Sequence, residues 1–374
     1  MEILIMELDI FGIYENKKVL ITGHTGFKGS WLAQWLLLLN AKVYGYALEA
    51  PTSPSLYEQL GIDKNIESNI DDIRNFESVK KFVGKVAPDI IFHLAAQPIV
   101  RQSYLNPIET LETNVNGTAN VLEAVRQLGF STSIVVITSD KCYENNEWIY
   151  GYRENDSMGG YDPYSMSKGA AELVVSSWRN SFFNIKDFNT HGVKLASARA
   201  GNVIGGGDWA VDRILPDCIR ALQDKTAIQI RNPLATRPWQ HVLESLGGYL
   251  RLGSKLLGTH LDNLDVYCSG FNFGPFSTSN KSVEVLVKEV LSHWNGNWQY
   301  NKEDALHEAY LLNLNIDKAI QLLNWSPVWD FKTTVEKTVL WYKKGFDNPE
   351  LISNITEEQI KEYSISFKNN INSI

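Results

Sequence analysis

Residues 19–32 read Val19-Leu20-Ile21-Thr22-Gly23-His24-Thr25-Gly26-Phe27-Lys28-Gly29-Ser30-Trp31-Leu32. The apolar run Val19 to Ile21 reads as a buried strand, and Trp31 to Leu39 as an apolar-rich helix. Between them three glycines stand in the order G-x-x-G-x-x-G. Strand, glycine turn and helix is the context in which such a motif points to a dinucleotide. Gly23 allows a tight turn, Gly26 leaves room for a pyrophosphate, and Gly29 lets helix and strand pack closely. Free amides at the helix start would receive phosphate oxygens. Thr25 and Phe27, inside the turn, join the glycines as candidate cofactor contacts. A glycine-rich turn without a ligand is the plainer alternative, so the rest of the chain must decide.

The chain has 374 residues, 44% of them hydrophobic, enough for one large domain or two lobes. A net charge of −8 without a long basic run argues against nucleic acid as a partner. A negatively charged ligand would then need local Arg or Lys residues. No apolar run reaches the length of a membrane helix. Met1 to Phe11 is apolar and acidic with no basic start, unlike a secretory signal. Cys142, Cys218 and Cys268 are widely spaced, which suits a reducing cytoplasm and gives no metal site. Cys142 reads as an ordinary small buried side chain.

Further along, Ala41 to Tyr46 is expected to be the second strand. An acid near its end would grip an adenine ribose. Glu49 is the only acid close by, and a solvated loop position suits it better. Asp72 and Ile73, after a third strand, could meet the adenine edge. Ile90 to Gln97 is an apolar strand ending in small residues. Leu94, Ala95 and Ala96 there would let a flat cofactor lie against the backbone, with Gln97 beyond them at the substrate. Asn114 to Leu128 has helical periodicity and Gly129 as its stop. Ser133 to Ile137 is a strand leading into Thr138-Ser139-Asp140-Lys141. Tyr161-Asp162-Pro163-Tyr164 opens a helix carrying Ser167-Lys168. This alternation up to about residue 200 implies an α/β, Rossmann-like, doubly wound parallel sheet.

After that the pattern changes. Residues 199–208 look loop-like, 214–222 helical and 226–230 strand-like. Residues 236–242 run from loop to strand, 282–293 form an amphipathic helix, and another starts at Asp317. These segments suit a smaller C-terminal α/β substrate lobe. The division read from the chain is 15–200 as cofactor domain, with a later contribution from about 238–270. Residues 201–237 and 271–345 make the substrate lobe, and 1–14 and 346–374 are extensions, the latter polar and loosely held.

Tyr164 and Lys168 lie four apart on one helix and share a face. A phenol normally loses its proton near pH 10, and a neighbouring ammonium lowers that value. The pair could then take a proton from a hydroxyl while hydride leaves the same carbon. Ser139 could hydrogen-bond that hydroxyl and stabilise an oxyanion.

With these motifs the chain resembles the extended short-chain dehydrogenase/reductase family. Residues 22–32, 138–141, 199–209 and 237–242 resemble, more narrowly, its CDP-glucose 4,6-dehydratase group, from about Lys17 to Lys344. The resemblance implies bound NAD, a nucleotide-sugar substrate (CDP-glucose) and a cycle without net redox change. Tyr164 takes the C4 hydroxyl proton, water is eliminated across C5 and C6, and hydride returns to C6. Asp140 resembles the acid that protonates the departing 6-hydroxyl. Lys141 stands where related dehydratases carry a glutamate that removes the C5 proton, as base or as enolate stabiliser. Asn202, Arg213 and Arg237 match positions that hold the nucleotide diphosphate, where an Arg fork suits phosphate. His307-Glu308-Ala309 also recurs in that group. The family further implies a homodimer through two helix faces, around 114–128 and 170–178; simple covering of the sheet is the alternative. His24 reads as a loop residue and Trp294 to Trp298 as packing.

Two other readings compete. A 4-epimerase would need Tyr164 and the cofactor but no acid for a leaving hydroxyl, so Asp140-Lys141 favours dehydration. A non-catalytic dinucleotide-binding regulator would need none of Ser139, Asp140, Tyr164 and Lys168.

Overall fold

In the computed structural model, which describes residues 11–258, 263–300 and 311–371, the opening stretch forms strand β1 (Lys18–Thr22) and helix α1 (Phe27–Leu38). Strand and helix then alternate: β2 (Lys42–Ala47), β3 (Glu67–Ile70), α2 (Phe76–Val86), β4 (Ile90–His93), α3 (Val100–Leu105), α4 (Pro107–Leu111), α5 (Gly117–Leu128), β5 (Thr132–Ile137), α6 (Pro163–Ser181) and β6 (Val193–Ala200). Beyond residue 200 come β7 (Val203–Ile204), α7 (Ile214–Gln223), β8 (Ile228–Ile230), β9 (Thr236–Pro238), β10 (Gln240–His241), α8 (Val242–Gly258) and β11 (Gly270–Phe273). The chain continues through β12 (Asn280–Ser282), α9 (Val283–His293), β13 (Trp298–Tyr300), α10 (Asp317–Leu323), α11 (Phe331–Asp347) and α12 (Ile352–Ile371).

Seven strands form one sheet in the order β11-β6-β5-β4-β1-β2-β3, with every neighbouring pair parallel. This is the doubly wound arrangement expected from the sequence. The two faces carry separate cores. Val19 and Ile21 point into one, with Trp31, Trp35, Leu246 and Val339; Leu20 points into the other, with Phe82, Val121, Val125 and Val175. A strand buried on both faces reads as a continuous apolar run for this reason. The chain order reverses between β1 and β4, and an open α/β sheet binds ligands outside the carboxyl ends of its strands at such a point. Beside the sheet, three two-stranded pairings, β10–β7, β12–β9 and β13–β8, belong to the later segments.

Three local expectations change. Residues 236–242 lead through two short strands into the long helix α8. Gly247 and Gly248 weaken its helical signal, yet a Cβ at Gly248 would stand 2.2 Å from the Phe273 ring, so close packing against β11 demands glycine. The helix read from Asn114 is preceded by a π turn over Glu112–Asn116. The segment after residue 346 is not loosely held: α12 buries Ile352, Ile355, Ile360, Tyr363 and Phe367. Its polar composition belongs to the opposite face. Phe11 stacks on Phe367 and Tyr14 donates to the Leu250 carbonyl, so the described part of the leading extension is docked too.

Glu244 on α8 ties the C-terminal helix down. Its carboxylate accepts from the Val328 and Trp329 amides and from the Tyr363 hydroxyl. Burial pushes its pKa up to about 7, with those hydrogen bonds opposing. A carboxyl whose folded value lies above its unfolded one stabilises fully below the unfolded value and loses that contribution as pH rises through the folded value. Glu244→Gln is therefore expected to flatten the stability profile between about pH 4 and pH 8 by on the order of 3 kcal/mol. Chemical denaturation of both proteins across that range checks it; parallel profiles would refute the assignment.

Candidate active site

The glycine turn behaves as its residues dictate. Gly23 has φ +78°, and a Cβ there would approach the Ala95 amide to 2.8 Å; one at Gly29 would lie 2.1 Å from the Gly23 carbonyl. A Cβ at Gly26 would meet nothing closer than 3.5 Å, which leaves that side open. Gly26 caps α1 without a side-chain hydrogen bond, so the first amides of the helix stay available to phosphate. Ala95 and Ala96 follow β4 half-buried, and the Thr22 hydroxyl accepts the Ala95 amide at 3.1 Å. These features fit a dinucleotide.

The other proposed cofactor contacts are placed as follows. The Thr25 hydroxyl donates to the Leu48 carbonyl at 2.9 Å, closing the turn onto the end of β2. Phe27 packs against the core, half-buried. Asp72 is engaged by Arg74 at 2.6 Å. The Ile73 side chain is buried in the core, so any cofactor contact there runs through main-chain atoms. Glu49 is exposed after β2. His24 is completely buried and shares a 2.7 Å hydrogen bond with Ser68. Burial pushes its imidazole down to about 4, which makes it a structural tie.

Ser139, Asp140, Tyr164 and Lys168 converge where β5 ends and α6 begins. Asp162 caps α6 by accepting the Ser165 amide, and Pro163 fills the first turn. One turn apart, Tyr164 and Lys168 are both buried. Ser139 caps a short turn over Asp140–Cys142, donates to Asp140 Oδ1 at 2.8 Å and lies close enough to the Tyr164 phenol to act on its ionisation. Burial raises the Asp140 carboxyl, against the pull of Lys141 and Arg237. The Tyr164 phenol is not lowered, as its spacing from Lys168 suggested. Burial pushes it up to about 12, and the Ser139 hydrogen bond only partly offsets this. Lys168 is lowered to about 8, again chiefly by burial.

Arg213 pairs with the buried Asp208 at 2.8 Å and lies close enough to Tyr164 to act on its charge. Arg237 donates to the Thr236 carbonyl. Asn202 is exposed in the turn between β6 and β7. Gln97 spends its side chain on Thr110 and on the Ile99 amide. Lys141 is half-exposed beside Asp140. His307, Glu308 and Ala309 lie outside the described residues.

Two residues escaped the sequence reading. Lys28 reaches the Tyr249 hydroxyl at 3.3 Å; burial, then Arg213 and Lys168, lower it to about 7, while Asp140 opposes. Its signal is a cation at a helix N-terminus, where the dipole disfavours one. Asn114, in the π turn, accepts from the Gln97 amide and donates to Ser167, tying the cofactor strand to α6. A π turn leaves no mark in hydrophobic periodicity.

The model of the GDP-mannose 4,6-dehydratase family matches residues 20–338. The chain belongs to that family. It is 48% identical over 352 residues to the CDP-glucose 4,6-dehydratase of Salmonella typhimurium, covering 94% of this chain and 97% of the relative. It is 28% identical over 354 residues to the CDP-paratose 2-epimerase of Salmonella typhi, covering 87% and 98%. Among solved structures, dTDP-glucose 4,6-dehydratase DesIV from Streptomyces venezuelae, with NAD and TYD bound, superposes with TM-score 0.75 at 20% identity, covering 88% of this chain and 98% of that one. The epimerase Mth375 of Methanothermobacter thermautotrophicus gives TM-score 0.77 at 24% identity, covering 92% and 97%. These two superpositions bear on the fold.

The residues after β2 are Leu48, Glu49, Ala50 and Pro51, none of them cationic. NAD is therefore expected to bind more tightly than NADP, whose 2′-phosphate needs an arginine. The missing strand-end acid also predicts a weak hold on NAD. Calorimetry with both cofactors measures this, and a preference for NADP would contradict it.

Proposed function

We propose that this chain dehydrates CDP-glucose to CDP-4-keto-6-deoxyglucose with NAD as a returning cofactor. The observation that carries the reading is Asp140 beside Ser139 and Tyr164: an oxidation site with a buried acid attached to it. A 4-epimerase has no use for that acid. The similarity to the Salmonella dehydratase supports CDP-glucose as the substrate.

The glycine turn, Thr25, Phe27, Asp72, Ile73 and residues 94–96 would hold NAD, together with Tyr164 and Lys168. Bound NAD supplies the hydride acceptor at C4 and the donor at C6. Tyr164 receives the C4 hydroxyl proton, and Ser139 steadies the oxygen. Asp140 protonates the departing 6-hydroxyl. Lys141, in the same turn, would act at C5, as base or as stabiliser of the enolate. Arg213 and Arg237, with Asn202 and Gln97 near the substrate, would hold the diphosphate and sugar. The cofactor domain is residues 15–200 with the later contribution of about 238–270, which supplies α8 and the start of β11; residues 201–237 and 271–345 hold the substrate. We place the reaction in the cytoplasm, consistent with three free thiols. Among the described residues no helix is long and apolar enough to cross a membrane.

Purified protein given CDP-glucose and NAD is expected to form a 4-keto-6-deoxy sugar, read by alkaline ultraviolet absorbance. Tyr164→Phe, folded and still binding cofactor, is expected to lose about 10²–10⁴-fold of that activity. Wild-type turnover by the variant would remove Tyr164 from the mechanism.

The assembly we propose is a two-fold dimer. Leu105 on α3, Ile108 on α4, and Met166 and Leu173, seven apart on α6, are exposed apolar residues. The inner sides of α5 and α6 cover the sheet, so these outer side chains are left for a second copy, each helix meeting its equivalent. Sedimentation is expected to show a dimer that Leu173→Arg dissociates. A wild-type monomer at micromolar concentration would defeat the proposal.

A further inference from the structure

Two guanidinium groups from distant parts of the chain share one carboxylate oxygen. Arg101 on α3 donates to Asp212 Oδ1 at 2.8 Å, and Arg231, directly after β8, donates to the same atom at 3.2 Å. Each fork reaches Asp212 through one nitrogen. Arg101 follows the end of β4 and Gln97, and Asp212 directly precedes Arg213. Arg213 in turn lies close enough to Tyr164 to act on its charge. The three side chains therefore join the carboxyl end of the sheet to the segments after residue 200, beside the candidate site. Solvent reaches all of them: the Arg101, Asp212 and Arg231 side chains are 44%, 34% and 36% exposed.

We propose that Arg101 and Arg231 form a seat for the phosphates of the nucleotide ligand, and that Asp212 occupies this seat in the free chain until a phosphate displaces it. This rests on the nucleotide-sugar reading above. A single carboxylate oxygen is a meagre acceptor for two planar forks, whereas a phosphate offers several oxygens that match their geometry. A diphosphate also carries more charge than one carboxylate, so the exchange favours the ligand.

The neighbouring ion pair shows why Asp212 is the acid that gives way. Arg213 is tied to Asp208, whose side chain is only 5% exposed. Taking Arg213 away would strand a buried carboxylate, which is costly. Arg213 would therefore meet a ligand with Asp208 still attached. Asp212 has water beside it, and an exposed ion pair contributes little, so its release strands nothing. The loop that carries it is held by other contacts. Arg220 donates to the Trp209 and Ala210 carbonyls, and the Trp209 indole donates to Gln59. Asp212 itself has φ +61°, a left-handed conformation that Asp and Asn tolerate better than most residues. Asp212→Asn thus removes the charge and keeps the backbone.

The test reads binding without turnover. Titration calorimetry on the full chain uses CDP, and ligand-observed NMR uses cytidine, which has the base and ribose but no phosphate. Asp212→Asn is expected to bind CDP about fivefold more tightly, the factor that one exposed ion pair is worth, with cytidine unchanged. Arg101→Gln and Arg231→Gln are each expected to weaken CDP about tenfold, the loss of one charge-assisted hydrogen bond, again with cytidine unchanged. With both arginines replaced, adding Asp212→Asn is expected to gain less than about twofold, because the two sides of the seat are coupled. Asp217→Asn removes a nearby acid that pairs with Arg220 instead, and it is expected to bind CDP as the wild type does. An unchanged or weaker hold on CDP by Asp212→Asn would make Asp212 a loop tie and overturn the proposal. An equal gain from Asp217→Asn would overturn it too, since net charge alone would then explain the effect. So would a loss of cytidine in either arginine variant, which would mean a damaged lobe. Wild-type protein that binds neither CDP nor cytidine would remove the nucleotide reading itself, and the seat with it.

Discussion

Next to the strand end and helix that carry Ser139, Asp140 and Tyr164, the Arg199 guanidinium meets the Glu172 carboxylate at 2.9 Å, with both side chains buried. Glu172 stands two turns beyond Tyr164 on α6, and it also accepts the Thr138 and Ser197 hydroxyls. Arg199, on β6, donates to the Tyr143 hydroxyl and the Glu154 carbonyl. Burial alone would raise the Glu172 carboxyl, yet the charge and hydrogen bonds of Arg199, with the two hydroxyls, hold it below its ordinary value. Removing one partner of such a pair typically costs about 3–5 kcal/mol, because the other charge stays buried. The geometric consequence matters more here. Thr138 is adjacent to Ser139, so the same carboxylate fixes the helix that carries Tyr164 and the strand end that carries Ser139 and Asp140. Glu172 thereby holds the two sides of that junction in register.

Charge balance follows from the same construction. The chain is acidic overall, yet Lys28, Lys141, Lys168, Arg213 and Arg237 gather around one buried aspartate and one buried tyrosine. They come from α1, the turn after β5, α6, the start of α7 and β9. A sheet with its switch point between β1 and β4 brings the first of these elements together, and the segments after residue 200 supply the last two. A doubly negative diphosphate is the ligand such a collection suits, and it would offset both the burial and the repulsion from Arg213 and Lys168 that lower Lys28.

Much of this was legible in the residues. Strict strand–helix alternation and an unbroken apolar β1 announced a parallel sheet, because only strands covered on both faces read that way. Gly23, Gly29, Tyr164 and Lys168 carry geometry in their spacing. Other parts were hidden for physical reasons. Helix α8 carries Gly248 against Phe273 of β11 and Gly247 against Tyr363 of α12, so packing there overrides propensity. Helix α12 is polar on one face, and only the hydrophobic stripe through Ile355, Ile360, Tyr363 and Phe367 binds it. The upward displacement of Tyr164 depends on burial, which sequence spacing does not report. Lys28 was visible in the glycine motif, but its reach to Tyr249 depends on a helix more than two hundred residues away.

The account stands or falls on whether one hydride leaves C4 and returns to C6 of the same sugar. Turnover of CDP-glucose carrying deuterium at C4, in ordinary water, with the product examined by NMR, measures that directly. The account predicts deuterium in the C6 methyl group of a 4-keto sugar. Deuterium remaining at C4, as in an epimerase, or lost to solvent would contradict it.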